Sequence, residues 1–304
     1  MTEDVSSVLI DGPWNHRMVA ANGARFHIAE AGTGGPDRPL VLLLHSFPEF
    51  WWAWRHQIPV LADAGYRVAA MDLRGYAASD KPPQGYDTFT LAADAAALVR
   101  CLGERRVVVV GHGWGGWIAW AMATMQPDVT TAVASFGMPH PLVMRQSSAR
   151  VPAQVRANRY LHSMQMPFVP ERQLVAGPRY TRRVMRAWSG SDWPAEDLVQ
   201  RYAAALTLPF VAHSSAEYFR WIVRSVLRSD GRRFVNRLSQ QSRLPTLFVH
   251  GEDDGCVLPA STLGSQTYCR GPYREVRLPG VGHFVPEQAP ERTNELLLQW
   301  LATI

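Results

Sequence analysis

Short, unbroken apolar runs recur along the chain: PLVLLLH (39–45), YRVAAMDL (66–73), RVVVVGH (106–112), VTTAVASFG (129–137) and, after a long gap, PTLFVHG (245–251). Strands buried on both faces of a parallel sheet read this way, because neither side of the pleat meets water. Segments with helical character lie between them. WWAWRHQIPVLADAG ends at Gly65, and TLAADAAALVRCLG ends at Gly103, a natural C-terminal stop. GGWIAWAMATMQP follows its strand almost without a loop. The C-terminal APERTNELLLQWLATI sets Leu296, Leu297, Trp300 and Leu301 on one helical face. Near the start, HRMVAANGARFHIAEAG alternates around Asn22-Gly23, a pair that accepts the positive φ angles of a tight hairpin turn.

This alternation predicts an α/β fold: a mostly parallel sheet with right-handed crossovers and flanking helices. It fails between residues 140 and 240, where the chain reads as helical, Arg-rich and aromatic, with breaks at Pro167, Gly177, Gly190 and Pro194. The expected organisation is a core domain, 1–139 and 241–304, carrying an inserted helical cap, 140–240. An insertion there sits over the C-terminal sheet edge, where open α/β folds place ligands.

Composition narrows the picture. The 304 residues are 47% hydrophobic, enough for one large core. The opening MTEDVSSVLIDGPWNHR lacks the basic flank and apolar run of a signal peptide, and no membrane span is expected. Cys101, Cys256 and Cys269 show no zinc or CxxC spacing, so buried or half-buried thiols in a cytoplasmic protein are expected. The net charge of +5 is uneven: residues 144–239 hold sixteen Arg and no Lys against six acidic residues. A basic face of this kind can attract an anionic substrate or a membrane surface, but a solvated set of basic helix faces is the favoured reading, and no nucleic-acid motif appears.

Four stretches carry candidate chemistry. Gly111-His112-Gly113-Trp114-Gly115 stands between strand and helix. Small residues around position 113 permit the sharp turn on which many hydrolases display a nucleophile. Position 113 itself is glycine. His45-Ser46-Phe47-Pro48-Glu49 follows another strand, and its loop is expected to supply a backbone N–H to an oxyanion hole. The candidate donors are Phe47 and Trp114. His250-Gly251-Glu252-Asp253-Asp254 offers a carboxylate, and Gly282-His283-Phe284 an imidazole. The order elbow, acid, His makes His283 the expected general base and Asp254 its orienting partner.

Together, HSFPEFWWAWRHQ, MDLRGYAASDKPPQGYDTFTL, VVVVGHGWGG, LFVHGEDD and GVGHFVPEQAPE resemble the α/β-hydrolase superfamily, and within it the epoxide-hydrolase branch. Haloalkane dehalogenases share the elbow pattern but usually carry Asn where Phe47 stands. The resemblance implies hydrolysis of an epoxide to a diol through an ester on an elbow aspartate. It covers nearly the whole chain and is weakest in the cap. Here Gly113 replaces that aspartate, Ser46 replaces the Gly of the HGxP pattern, and Ala77-Ala78 stand where a Gly is usual. Family caps also present two tyrosines to the epoxide oxygen. Phe219 and Ser163 occupy those places, with Tyr218 and Tyr160 nearby.

Three readings stand open: an epoxide-hydrolase-like enzyme slow as written, a non-covalent general-base enzyme using the His283–Asp254 dyad, and a binding protein that keeps the pocket. Alternative attackers, Ser46 and Cys256, are better read as satisfied or packed groups. Trp51, Trp52 and Trp54 fit core packing or the pocket mouth. Asp72 and Arg74 read as an ion pair or turn support, and Asp80 likewise. The expected ligand is a small hydrophobic or mixed organic molecule. No metal or cofactor is called for, and homodimer formation is left open.

Overall fold

The computed structural model describes residues 4–35, 38–190 and 193–304. Its central feature is an eight-stranded sheet. β1 (Asn15–Ala21) and β2 (Ala24–Ala31) form the predicted hairpin, with Asn22 and Gly23 both at positive φ. β3 (Leu40–Leu44), β4 (Val68–Met71), β5 (Val107–His112), β6 (Thr130–Phe136) and β7 (Thr246–Gly251) are the five apolar runs. With β8 (Tyr273–Leu278) they stand in the order β1-β2-β4-β3-β5-β6-β7-β8. The β1–β2 and β2–β4 pairings are antiparallel, and the other five are parallel. β3, β4, β5 and β7 are buried at every residue. β8 was not anticipated. It closes the sheet edge, where half-exposed residues replace the continuous apolar run.

Helices α1 (Gln57–Asp63), α2 (Thr88–Cys101) and α3 (Trp114–Met125) connect the first parallel strands. The first expected helix is broken. Trp51–Trp54 forms a 3-10 turn, and α1 starts only at Gln57. Pro59 lacks an N–H and fits only a first helical turn, which fixes that restart. Trp51, Trp52 and Trp14 pack edge to face in the core cluster, so the tryptophans are packing residues and line no pocket mouth. Cys101 is exposed, contrary to expectation, because its position falls on the outer face of α2.

Among the described residues, the elements named between β6 and β7 are all helices joined by short loops. They are α4 (Pro141–Arg150), α5 (Pro152–Ala157), α6 (Tyr160–Gln165), α7 (Val169–Val175), α8 (Pro178–Ser189), α9 (Glu196–Thr207), α10 (Val211–Arg224) and α11 (Ser229–Leu238), with a short 3-10 turn after α10. Two last helices, α12 (Val285–Gln288) and α13 (Pro290–Leu301), return to the sheet. Among the described residues, no helix is long and apolar enough to cross a membrane.

Asp72 and Arg74 do not pair. Asp72 accepts the Trp51 N–H and faces His27, so it is turn support. Arg74 instead holds Asp94 of α2 with two hydrogen bonds of 2.6 Å. Asp80 pairs with Arg25. Ala77, at the family's glycine position, sits at φ 38°.

α3 lies directly against the sheet because Gly115 has no side chain. A β-carbon there would stand 1.9 Å from the Leu44 carbonyl oxygen. The Gly115 N–H donates to the His45 carbonyl at 3.0 Å, which locks the helix to the β3 loop. Gly115→Ala must push α3 off β3, and a loss of about 1–3 kcal/mol or more is expected in urea unfolding. Gly35→Ala, at an open position, is the control and should change stability by less than about 0.5 kcal/mol.

Candidate active site

The motif residues converge at the C-terminal ends of the parallel strands. Ser46 follows β3, Gly113 follows β5, Asp254 follows β7 and His283 follows β8. Gly113 makes the sharp turn at φ 48°, ψ −109°. Its N–H donates to Phe136 O at 3.0 Å, and its carbonyl accepts the Trp117 N–H at 2.9 Å, starting α3. A side chain in such backbone costs on the order of 1–3 kcal/mol, which glycine avoids.

His283 Nδ1 lies 2.8 Å from Asp254 Oδ2. The carboxylate therefore holds a proton on Nδ1 and leaves the Nε2 lone pair outward. Asp254 is fixed through its other oxygen, which accepts the N–H groups of Cys256 (2.7 Å) and Val257 (2.8 Å). Both dyad residues are 2% exposed. His283 Nε2 stands 3.4 Å from the point where a β-carbon on residue 113 would lie. The dyad thus faces the turn at residue 113.

A second couple lies beneath the first. His112 Nδ1 faces Glu49 Oε2 at 2.8 Å, and His112 Nε2 faces the His283 carbonyl at 2.8 Å. Both ring nitrogens meet acceptors, as in an imidazolium that donates twice. Burial lowers the His112 pKa, but the adjacent Glu49 carboxylate more than offsets it, and the pKa lies above its ordinary value. Burial raises that of Glu49. The His112 cation and the Ser46 N–H, which donates to Oε2 at 3.0 Å, bring it below the ordinary carboxylate value. One ion pair therefore ties the Ser46 loop, the elbow and the His283 loop together.

The Trp114 N–H does not stand free as an oxyanion donor. It donates to Ser46 Oγ at 3.2 Å, because the serine side chain fills space left by the absent side chain at 113. The Phe47 N–H makes no hydrogen bond among the described residues.

Above the dyad opens a cavity of about 680 Å³, bounded on one side by Ser46, Phe47, Gly113 and His283 and on the other by the helical insertion. Tyr160 and Phe219 line it as expected. The Tyr160 hydroxyl, 3.9 Å from Cys256 Sγ, stays protonated because burial pushes its pKa well up. Two expectations fail. Ser163 does not line the cavity, since its hydroxyl folds back onto the Tyr160 carbonyl one helical turn earlier. Tyr218 points away, donating to the Arg74 carbonyl at 2.7 Å, because its neighbour Phe219 holds the inward face of α10. Among the described residues no Asp or Glu lines the cavity, while Arg145 and Arg150 do so with no acidic partner.

A family profile described as alpha/beta hydrolase fold matches residues 39–290. The chain belongs to the α/β-hydrolase fold family. Its relatives within that family include epoxide hydrolases. "Epoxide hydrolase A" of Mycobacterium tuberculosis is 31% identical, the alignment covering 95% of this chain and 98% of the relative. "AB hydrolase superfamily protein YfhM" of Bacillus subtilis is 31% identical over 94% of this chain and 97% of its own length. The crystal structure of epoxide hydrolase A from Mycobacterium thermoresistibile superposes with a TM-score of 0.81 at 28% identity, covering 95% and 98% of the two chains.

Three supports of this α/β-hydrolase site carried no assigned role in sequence. His112 and Glu49 lie within the quoted motifs, but their pairing spans 63 positions. Trp188, on α8, accepts the His283 N–H at 2.9 Å through its carbonyl and sets its ring 5.4 Å from the imidazole. Nothing in its local sequence distinguishes it.

The ion pair sets a pH window. Glu49, depressed in the fold, stabilises above its unfolded value of about 4.3 and loses that contribution as pH falls through its folded value. His112, raised in the fold, stabilises below its unfolded value of about 6.5 and loses that contribution as pH rises through its folded value. Glu49→Gln removes both effects. Urea unfolding should show it destabilised by about 3–5 kcal/mol between roughly pH 4.5 and 6.5, with a smaller deficit on either side. A deficit independent of pH would contradict the paired, charged assignment.

Proposed function

We propose that this chain hydrates the epoxide of a small, hydrophobic or mixed organic molecule by general-base catalysis, without an ester on the enzyme. The observation that carries this reading is the Asp254-held imidazole of His283 aimed into an apolar cavity at a turn with no nucleophile. Relatives named epoxide hydrolases supply the substrate class. The segment 140–240 acts as the cap that closes this cavity over the substrate.

His283 Nε2 takes a proton from water as the water oxygen bonds to an epoxide carbon. The carbon–oxygen bond of the ring breaks, and the Tyr160 hydroxyl donates a hydrogen bond to the departing oxygen. The imidazolium then returns the proton to that alkoxide, giving a diol and restoring the base. Phe219 leaves Tyr160 as the single cap tyrosine for this task. The uncovered Arg145 and Arg150 favour a neutral or anionic substrate over a cation.

Loss of one member of such a catalytic set leaves about 10³–10⁴-fold acceleration over water elsewhere, so turnover should be slow. A single turnover in ¹⁸O-water discriminates the routes. Direct attack places label in the first diol formed, whereas an ester route draws that oxygen from a carboxylate. His283→Ala should lower the rate about 10²–10⁴-fold. Asp254→Asn should reduce it by up to about 10⁴-fold through the wrong tautomer. Tight binding of epoxides and diols with no turnover would instead make the site a binding pocket.

A further inference from the structure

Positions 46 and 113 compete for one volume. A β-carbon at 113 would lie 2.0 Å from Ser46 Oγ and 2.7 Å from Ser46 Cβ, closer than any non-bonded contact allows. The serine is held from two directions: its N–H donates to Glu49 Oε2 and its Oγ accepts the Trp114 N–H. It is 3% exposed and lines the cavity. Among the described residues nothing accepts its hydroxyl proton, and nothing bonds His283 Nε2. A hydroxyl oxygen and a basic nitrogen thus converge on one point from two different loops.

We propose that Ser46 is a catalytic residue that takes the place of the elbow side chain by holding the attacking water between its Oγ and His283 Nε2. The proposal rests on the general-base reading above and assigns the water its site. A buried water needs two or more polar partners, and these two groups are the ones left over. Oγ has one lone pair free after the Trp114 N–H, so water can donate one hydrogen to Oγ and the other to Nε2. A water lone pair then points into the cavity. On attack, oxygen bonds to the epoxide carbon, the ring carbon–oxygen bond breaks, and the proton on the Nε2 side moves to His283. The hydrogen on the Ser46 side stays with the new hydroxyl. Ser46 does not itself attack, because no hydrogen bond joins Oγ to Nε2, the link that activates a serine.

The test has arms independent of turnover. A crystal structure of the unaltered protein should show a water within about 3.2 Å of both atoms, and Ser46→Ala should lose it. Absence of that water in the unaltered protein overturns the proposal even where no epoxide is hydrated. Loss of hydration with the water present instead sinks the functional reading. The steric exchange is read by unfolding. Gly113→Ala alone should lower the urea midpoint, and Ser46→Gly in the same chain should regain more than half of that loss. In kinetics, Ser46→Ala should cut kcat about 10–100-fold with KM nearly unchanged, while the unfolding midpoint falls because the buried Trp114 N–H loses its acceptor. Gly113→Asp alone should gain nothing. Ser46→Gly with Gly113→Asp should move the first-turnover oxygen from water to the enzyme carboxylate. A substrate adduct on Ser46, detected by mass spectrometry, or an unchanged kcat in Ser46→Ala, would refute the assignment.

Discussion

The buried ion pair of His112 and Glu49 is the constraint on which the site depends. Taking two charges out of water costs several kcal/mol per ion, and the cost is met only when geometry is good and the spare donors and acceptors are used. Here both imidazole N–H groups have acceptors, and Glu49 Oε2 takes both the His112 and the Ser46 N–H, while Oε1 has no hydrogen-bond partner among the described residues, so the cost is met only in part. Its contribution is chiefly one of position. His112 adjoins the elbow, Glu49 ends the β3 loop, and the His283 carbonyl belongs to the loop after β8. Three segments far apart in sequence acquire a common reference, so the distances between Ser46, Gly113 and His283 are set by one interaction.

A consequence is that the Asp254–His283 pair stands independently of residue 113. The Asp254–His283 contact owes nothing to residue 113, since Asp254 is anchored by its own loop amides. The bend at 113 is maintained by backbone bonds to Phe136 and Trp117 and by the close seating of Gly115 on β3. Glycine at the bend also relieves the backbone strain that a side chain would store there. An imidazole oriented by Asp254 in this largely apolar cavity therefore costs the fold little to keep.

Much of this was legible in the chain, for identifiable reasons. Strands buried on both faces appear as continuous apolar runs, so β3 to β7 declared themselves. β8 did not, because an edge strand half open to solvent carries Arg274, Glu275 and Arg277 among its apolar residues. The loops bearing Ser46, Gly113, Asp254 and His283 could be located because each follows or flanks a recognisable turn signal. Side-chain direction within the insertion could not. Tyr218 and Phe219 are neighbours, and a rotation of about 100° between successive helical positions decides which one meets the cavity. Ser163 likewise satisfies itself locally, as short polar side chains in helices do. Pairings such as Arg74–Asp94 and His112–Glu49 are tertiary and leave no trace in local pattern.

The departures at 46 and 113 are intelligible only as a pair. Contacting residues do not contribute independently, and here the contact is an overlap of volumes. With serine at 46, any side chain at 113 meets Oγ and adds strain at positive φ. With glycine at both, the Trp114 N–H would lose its acceptor and the cavity floor would gain a hole beside a base. Serine and glycine together fill the volume, satisfy the amide and keep a hydroxyl oxygen facing the imidazole. The polar atom beside the turn thus belongs to the β3 loop, while the imidazole is held by Asp254.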